Sequence, residues 1–93
     1  ASASYLPNLE IAVRGWALQD PDVREVQARV DAQRVDYLYT LFVQMGEESD
    51  RAQRLAQMLY TIFIGCQQIQ PTINEAGMAH LFHEFQRLYG GTA

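Results

Sequence analysis

The chain has no lysine, a single cysteine, and no long apolar run. Because Cys66 stands alone, no internal disulfide can form, which fits a reducing compartment. No apolar stretch approaches the ~18 residues that a membrane-spanning helix needs. Seven arginines against eleven acidic residues leave a net charge of −4, whereas phosphate binding needs a concentrated basic surface. These absences exclude a membrane span and argue against nucleic-acid binding by this chain alone.

The chain length allows one small domain. Its 93 residues suffice for one core, and an apolar share of 48% with 19% charged residues is typical of a soluble globular chain. The start has neither the basic region nor the apolar stretch of a signal peptide, so we expect a cytoplasmic protein. Because the first methionine is Met45, we expect a piece of something longer. Residues 1–5 are expected to be a disordered or expression-derived start, and residues 6–90 one helical domain.

The spacing of apolar residues predicts an all-α fold. They recur at intervals of three and four in four segments, about 6–18, about 21–45, about 49–70 and about 73–90. Asp20 and Pro21 form the clearest helix start, since these residue types are favoured at the cap and at the first helical position. Gly46 suits the left-handed end of the second helix, and Pro71 ends the third.

The starts of the last two helices are less clear. Ser49 or Asp50 is expected to begin the third helix, and Thr72 or Asn74 to cap the fourth. The second helix, at about 25 residues, is roughly 37 Å long, against a radius of gyration of ~12 Å for a compact chain of this size. We therefore expect either an elongated domain or one that packs on another molecule.

Two pairs on the second helix have the spacing of helical ion pairs. Glu25 lies four residues before Arg29, and Asp31 lies three residues before Arg34. Such pairs are typical of a solvated helix face, and we expect both to lie on one.

The third helix is apolar in nearly every direction around its axis. This predicts that one face of the helix packs on the core of its own domain and another face on a second surface. The pattern leaves open which face contacts which. A central helix wrapped by its own neighbours is the alternative. The short connection to the fourth helix predicts an antiparallel hairpin, and two hairpins related by a two-fold axis would close an intermolecular four-helix bundle.

The candidate reactive residues do not form a recognisable catalytic or metal-binding pattern. His80, His83 and Glu84 lie close enough on one helix to share a metal, but a structural zinc site normally needs four ligands. Cys66 follows an apolar run without a local cation to lower its pKa, which favours a buried hydrophobic side chain over a nucleophile. We expect no metal, no catalytic residue, no cofactor and no enzymatic activity.

Aromatic residues are the more informative set. Five lie on the inward stripes of three different helices: Trp16, Tyr37, Phe42, Tyr60 and Phe63. They indicate either an ordinary aromatic core or a ligand pocket, because buried tyrosine hydroxyls need a partner in both cases.

Several short motifs follow one another in a specific order. They are Arg14-Gly15-Trp16-Ala17, Asp20-Pro21-Asp22-Val23, Val30-Asp31-Ala32-Gln33-Arg34 with Leu38, Leu41, Phe42 and Gly46, then Arg51-Ala52, Arg54-Leu55-Ala56, Leu59-Tyr60 and Ile64-Gly65. In combination the chain resembles the C-terminal regulatory domain of the tetracycline-repressor (TetR) family of transcriptional regulators. The resemblance implies a homodimer that receives a small-molecule inducer and reaches DNA only through an N-terminal helix-turn-helix, which these residues do not include.

The resemblance also implies roles for individual residues. The ligand side is expected to comprise Trp16, Tyr37, Leu41, Tyr60 and Phe63. The dimer side is expected to comprise Leu59, Ile62, Cys66, Leu81, Phe82, Phe85 and Tyr89. The expected function is the effector-binding and dimerisation half of a repressor that responds to a small apolar or aromatic ligand. A standalone helical adaptor that docks a protein partner through the same hairpin is the alternative.

Overall fold

The computed structural model describes residues 7–69 and 72–90, and within these ranges the chain forms four α-helices and no strand. The helices are α1 (Pro7–Ala17), α2 (Pro21–Gln44), α3 (Ser49–Gln68) and α4 (Glu75–Gly90). The prediction of four helices is therefore confirmed. The start expected over residues 1–5 lies outside the described residues, as does the stop expected at Pro71.

Local chemistry explains both ends of α2. The Asp20 side chain accepts hydrogen bonds from the backbone N–H groups of Asp22 at 2.9 Å and Val23 at 3.3 Å, satisfying donors that the first turn leaves free. Gly46 follows the helix with a φ of 99°, a conformation that side chains other than glycine rarely adopt. Both predictions for this helix are confirmed.

The other helix starts use caps next to or among the predicted residues. α3 begins at Ser49 as expected, but the capping carboxylate belongs to Glu48, which accepts from the Arg51 backbone N–H at 3.3 Å. At α4, the Asn74 side chain accepts from the backbone N–H of Gly77 at 2.9 Å. Of the two candidates for that cap, Asn74 therefore fills the role.

The core forms where α3 packs between α2 and α4. Its buried members are Phe42, Ala52, Leu55, Ala56 and Phe85. Ala52 and Ala56 are fully buried, and their small side chains let neighbouring elements approach α3 closely. α1 packs against α2 and α3. None of the helices in the described ranges has both the length and the apolar character that crossing a membrane requires.

The domain is elongated, as the length of α2 predicts. Its principal extents are 44 × 28 × 27 Å and its radius of gyration is 14.6 Å. A compact chain of this length is expected to have a radius of about 12 Å. Exposed apolar side chains lie on α3 and α4 and just after the end of α3, namely Met58, Leu81, Leu88 and Ile69.

Candidate functional site

A groove of about 770 Å³ lies between α2 and α4, with α3 at its floor. We call it the aromatic groove; its lining residues are Gln33, Arg34, Tyr37, Leu38, Leu41, Phe42, Met45, Leu59, Tyr60, Phe63, Phe82, Phe85, Gln86 and Tyr89. Small-molecule sites typically enclose about 300–1,000 Å³. The groove is therefore large enough for an organic ligand.

Aromatic rings dominate the lining. Seven aromatic side chains from the described residues contribute to it. At its base the rings of Phe42 and Tyr89 form a T-shaped contact with centroids 5.4 Å apart, and Phe85 stacks on Tyr89 with centroids 5.7 Å apart. These rings join α2 to α4, and contacts of this kind add to the free energy gained from burial alone.

Four of the five residues expected on the ligand side lie together in the aromatic groove: Tyr37, Leu41, Tyr60 and Phe63. The rings of Tyr60 and Phe63 stack with centroids 6.3 Å apart. Trp16 lies elsewhere and is 59% exposed. The reason is that α1 packs against α2 and α3, while the lining comes from α2, α3 and α4.

Residues expected on the dimer side fall into three different settings. Leu59, Phe82, Phe85 and Tyr89 line the same groove as the ligand residues. Ile62 packs against the core and Cys66 is buried, so both lie inside the protomer. Leu81 is exposed. The ligand and dimer sets are therefore not on separate faces, because α3 and α4 turn their bulkiest apolar side chains toward α2.

A set of charged and polar side chains lies where α1 meets α2 and α3. We call it the polar network; it comprises Glu10, Arg14, Gln27, Asp31, Arg34 and Tyr60. Its members come from three helices, and two of them, Arg34 and Tyr60, also line the aromatic groove. The polar network and the groove therefore meet at these two side chains.

Asp31 is the acceptor at the centre of the polar network. Arg14 donates to both of its carboxylate oxygens, at 2.8 and 3.1 Å. The Tyr60 hydroxyl donates at 2.5 Å and the Gln27 amide at 3.2 Å. Four hydrogen bonds from three side chains thus hold one carboxylate, and bonds of this charge-assisted kind are the stronger ones.

Arg34 forms the second ion pair of the network. Its guanidinium donates to the two Glu10 carboxylate oxygens at 3.1 and 2.5 Å, and to the Tyr60 hydroxyl oxygen at 3.3 Å. Tyr60 therefore accepts from Arg34 and donates to Asp31. Through this hydroxyl the two ion pairs form one connected arrangement.

The polar network shifts the pKa of its acids downward and that of its phenol upward. Burial alone raises the pKa of Asp31, but the hydrogen bonds from Arg14 and Tyr60 outweigh it, and the pKa lies below its ordinary value. The hydrogen bond from Arg34 lowers the pKa of Glu10. Burial, reinforced by the bond to Asp31, raises the pKa of Tyr60. Both carboxylates are ionised and the phenol is neutral at pH 7.

Sequence reasoning missed this network. The prediction that Asp31 pairs with Arg34 on a solvated face is wrong, because α1 covers that part of α2 and offers each residue a different partner. Glu25 and Arg29 do pair on an exposed surface, at 3.6 Å, as predicted. The signal was present in the order of charges: α1 carries an acid followed four residues later by a base, and α2 carries an acid followed three residues later by a base.

The remaining candidate groups bring no reactive constellation together. Within residues 7–69 and 72–90, no cluster of three or more histidine, cysteine or acidic side chains is placed to hold a metal ion. His80 and His83 are exposed on α4, and Cys66 is buried.

The arrangement is suited to binding. The base of the aromatic groove is closed by buried rings, while Tyr37 and Met45 stand exposed at the rim of the groove. Apolar surface and ring faces supply most of the free energy in sites of this kind, and a few polar groups fix orientation. Comparison with family models, curated proteins and solved structures finds no match for this chain.

Proposed function

We propose that this chain is the effector-binding and dimerisation half of a TetR-like transcriptional repressor, and that its effector is a small apolar or aromatic molecule held in the aromatic groove. The observation that carries the proposal is the convergence of four expected ligand residues on one groove: Tyr37, Leu41, Tyr60 and Phe63. An apolar concavity of this volume with few polar groups is the ordinary form of a small-molecule site.

An occupant of the groove touches α2 and α4 at once. Its binding therefore favours one spacing of these two helices over others. In the complete repressor, that preference biases the relative placement of two DNA-binding heads, with a coupling free energy of ~1–3 kcal/mol between the sites. DNA contact belongs to the helix-turn-helix, and this half supplies the frame that responds to the ligand in the cytoplasm.

Dimerisation uses the outer sides of α3 and α4 in this proposal. Leu81 and Leu88 lie seven residues apart on α4, so they repeat along one side of that helix. Met58 lies on α3, and Ile69 directly follows its last residue. All four are exposed in the protomer. The two helices act as a hairpin that meets its copy across a two-fold axis, closing a four-helix bundle.

Ligand binding is tested with two aromatic residues of similar exposure. Tyr37 is 65% exposed at the groove and Trp16 is 59% exposed outside it, so neither Tyr37→Ala nor Trp16→Ala opens the core. A panel of neutral aromatic compounds is titrated while the melting temperature is followed. A ligand at one hundred times its Kd adds about 2.7 kcal/mol to the free energy of unfolding. We expect Tyr37→Ala to weaken every hit and Trp16→Ala to weaken none; equal effects would refute the assignment of the groove.

Dimerisation is tested with a second matched pair. Leu88 is 66% exposed on α4 and Leu18 is 77% exposed beyond α1, so a glutamate at either position leaves the protomer folded. Light scattering over a range of concentrations should show a dimer for the unchanged chain and for Leu18→Glu, and a monomer for Leu88→Glu. An unchanged chain that stays monomeric at every concentration contradicts the dimer. A dimer that survives Leu88→Glu contradicts this interface.

A standalone adaptor that docks a protein partner is the second candidate. The exposure of Leu88 and Met58 favours it equally, since an unrelated helix could cover them. Reading the ~60 codons upstream of Ala1 separates the two, because a repressor requires a helix-turn-helix of that approximate size before these residues.

A further inference from the structure

Among the described residues that line the aromatic groove, one side chain is formally charged, that of Arg34. The other polar lining groups are the tyrosine hydroxyls and the amides of Gln33 and Gln86. The Arg34 side chain lines the groove and is 35% exposed, and its guanidinium also serves the polar network.

Arg34 has hydrogen-bonding capacity left over. Of its five N–H groups, one on Nη1 donates to Glu10, the other on Nη1 to Tyr60, and one on Nη2 to Glu10. Within the described part of the chain, the Nε–H and the second Nη2–H have no hydrogen-bond partner. A ligand with an oxygen acceptor can therefore bind there without displacing an existing bond.

The charge of Arg34 is already balanced. The polar network contains two carboxylates, Glu10 and Asp31, and two guanidinium groups, Arg14 and Arg34, all ionised at pH 7. Its sum is zero. A negatively charged ligand at this position would meet a cation that already has a counter-ion, and would give up its hydration for little electrostatic gain.

We propose that the aromatic groove selects an uncharged, planar aromatic molecule that carries a hydrogen-bond acceptor such as a ketone or amide carbonyl. Its ring lies against the aromatic lining, and its acceptor oxygen binds the free N–H groups of Arg34. This inference rests on the proposed function, because it names the chemical class of the effector for the same groove.

The test compares three naphthalene probes with the same ring and the same dimethylamino group. The first is prodan, a neutral ketone; in the second a carboxylate replaces the ketone; in the third an alkyl chain replaces it. Each is titrated against the 93-residue chain at pH 7 and the Kd is read from fluorescence. A hydrogen bond to a charged donor supports an affinity about tenfold higher for the ketone than for the alkyl probe, and we expect the carboxylate to bind no better than the alkyl probe.

Changing the net charge of the polar network should change whether the groove prefers the neutral or the charged probe. Glu10→Gln leaves Arg34 without its counter-ion, and we expect the carboxylate probe to gain about tenfold in affinity. Glu25→Gln makes the same change in net charge on an exposed surface and should leave all three Kd values unchanged. Glu10→Gln combined with Arg34→Met keeps the network uncharged overall but removes the donors, so the ketone should lose its advantage.

The outcomes separate this inference from the function on which it rests. If the ketone and alkyl probes bind equally well, or if the carboxylate binds best to the unchanged chain, the inference is overturned while the groove remains a ligand site. If none of the three probes binds, both the effector site and the inference are overturned. The comparison of probes on the unchanged chain needs no variant, so a folding defect in Glu10→Gln leaves it decisive.

Discussion

Replacing Asp31 with asparagine tests whether the polar network stabilises the fold. The amide has almost the same shape as the carboxylate but no charge. Arg14 loses its anionic partner, and an NH₂ group in place of Oδ2 cannot accept the hydrogen bond that Arg14 donates there. The amide oxygen in place of Oδ1 can still accept from Arg14, Tyr60 and Gln27, but without the negative charge. Asp31→Asn therefore removes the negative charge at the centre of the network and one of its hydrogen bonds, while leaving the packing of the helices nearly intact.

The expected loss of stability follows from burial. Removing one partner of a fully buried ion pair costs about 3–5 kcal/mol, whereas exposed pairs contribute about 0–1 kcal/mol. The side chains of Arg14 and Asp31 are 23% and 28% exposed, so solvent relieves part of the cost. We expect Asp31→Asn to lower the free energy of unfolding by about 2 kcal/mol, which corresponds to a fall in Tm of about 8–16 °C for a domain of this size.

The pH dependence gives an independent measure of the same effect. The pKa of Asp31 is lower in the folded chain than its unfolded value of about 3.9, so its ionisation stabilises the fold at higher pH. This contribution is fully present well above pH 4 and is lost as the pH falls through the folded pKa. Urea unfolding followed by circular dichroism should therefore show a stability gap between the unchanged chain and Asp31→Asn that is open at pH 7 and narrows below about pH 4.

Glu25→Gln is the matched control, because its exposed pair with Arg29 should contribute less than about 0.5 kcal/mol. The reasoning fails if Asp31→Asn costs no more than this control at pH 7, or if the gap between Asp31→Asn and the unchanged chain is the same at pH 3 as at pH 7.

Three further changes test the core and the helix ends by urea unfolding. Phe42→Ala removes a buried ring and should lower the free energy of unfolding by about 3–5 kcal/mol. Asp22→Ala, on the surface, should lower it by less than about 0.5 kcal/mol. Similar losses for the two variants would show that the ring is not part of a packed core. Gly46→Ala should lower the free energy of unfolding by about 1–2 kcal/mol, because a φ of 99° is strained for alanine, and Gly46→Asn should lower it less. No loss in Gly46→Ala would show that this position does not need the left-handed conformation. Asp20→Ala removes the cap of α2 and should cost about 1 kcal/mol, whereas a neutral result would mean that water replaces the cap fully.

The parts of the fold that sequence reasoning predicted well depend on neighbours along the chain. Asp20, Pro21 and Gly46 act on residues within one turn of themselves, so their identities are enough to place the ends of α2. The apolar spacing of three and four reports the helical state directly. The cap of α3 is Glu48, one residue before Ser49, the nearer of the two predicted starts. Several acidic side chains lie next to one another there, and each offers the first turn the same acceptor.

The parts that were missed depend on how helices pack. Asp31 and Arg34 have the spacing of a local pair, and only the position of α1 decides that each binds another helix instead. Tyr37, Leu41, Tyr60 and Phe63 lie on one groove because the spacing defines one side of α2 and of α3, and their role in ligand binding stays a prediction. Trp16 was placed with them although the periodicity of α1 fixes its side of the helix and not the helix that it faces. Sequence periodicity shows which residues share one side of a helix, whereas the packing of the helices determines which neighbouring helix that side contacts.

Position 60 must satisfy two unrelated requirements at once. The ring stacks on Phe63 at the floor of the groove, while the oxygen bridges Arg34 and Asp31. Phenylalanine keeps the stack and leaves the carboxylate one donor short; serine or threonine carries a hydroxyl on a stem too short to reach from the same backbone. In a saturation mutagenesis screen, tolerance at this codon should therefore be narrower than at Tyr37, whose side chain stands 65% exposed at the rim of the groove.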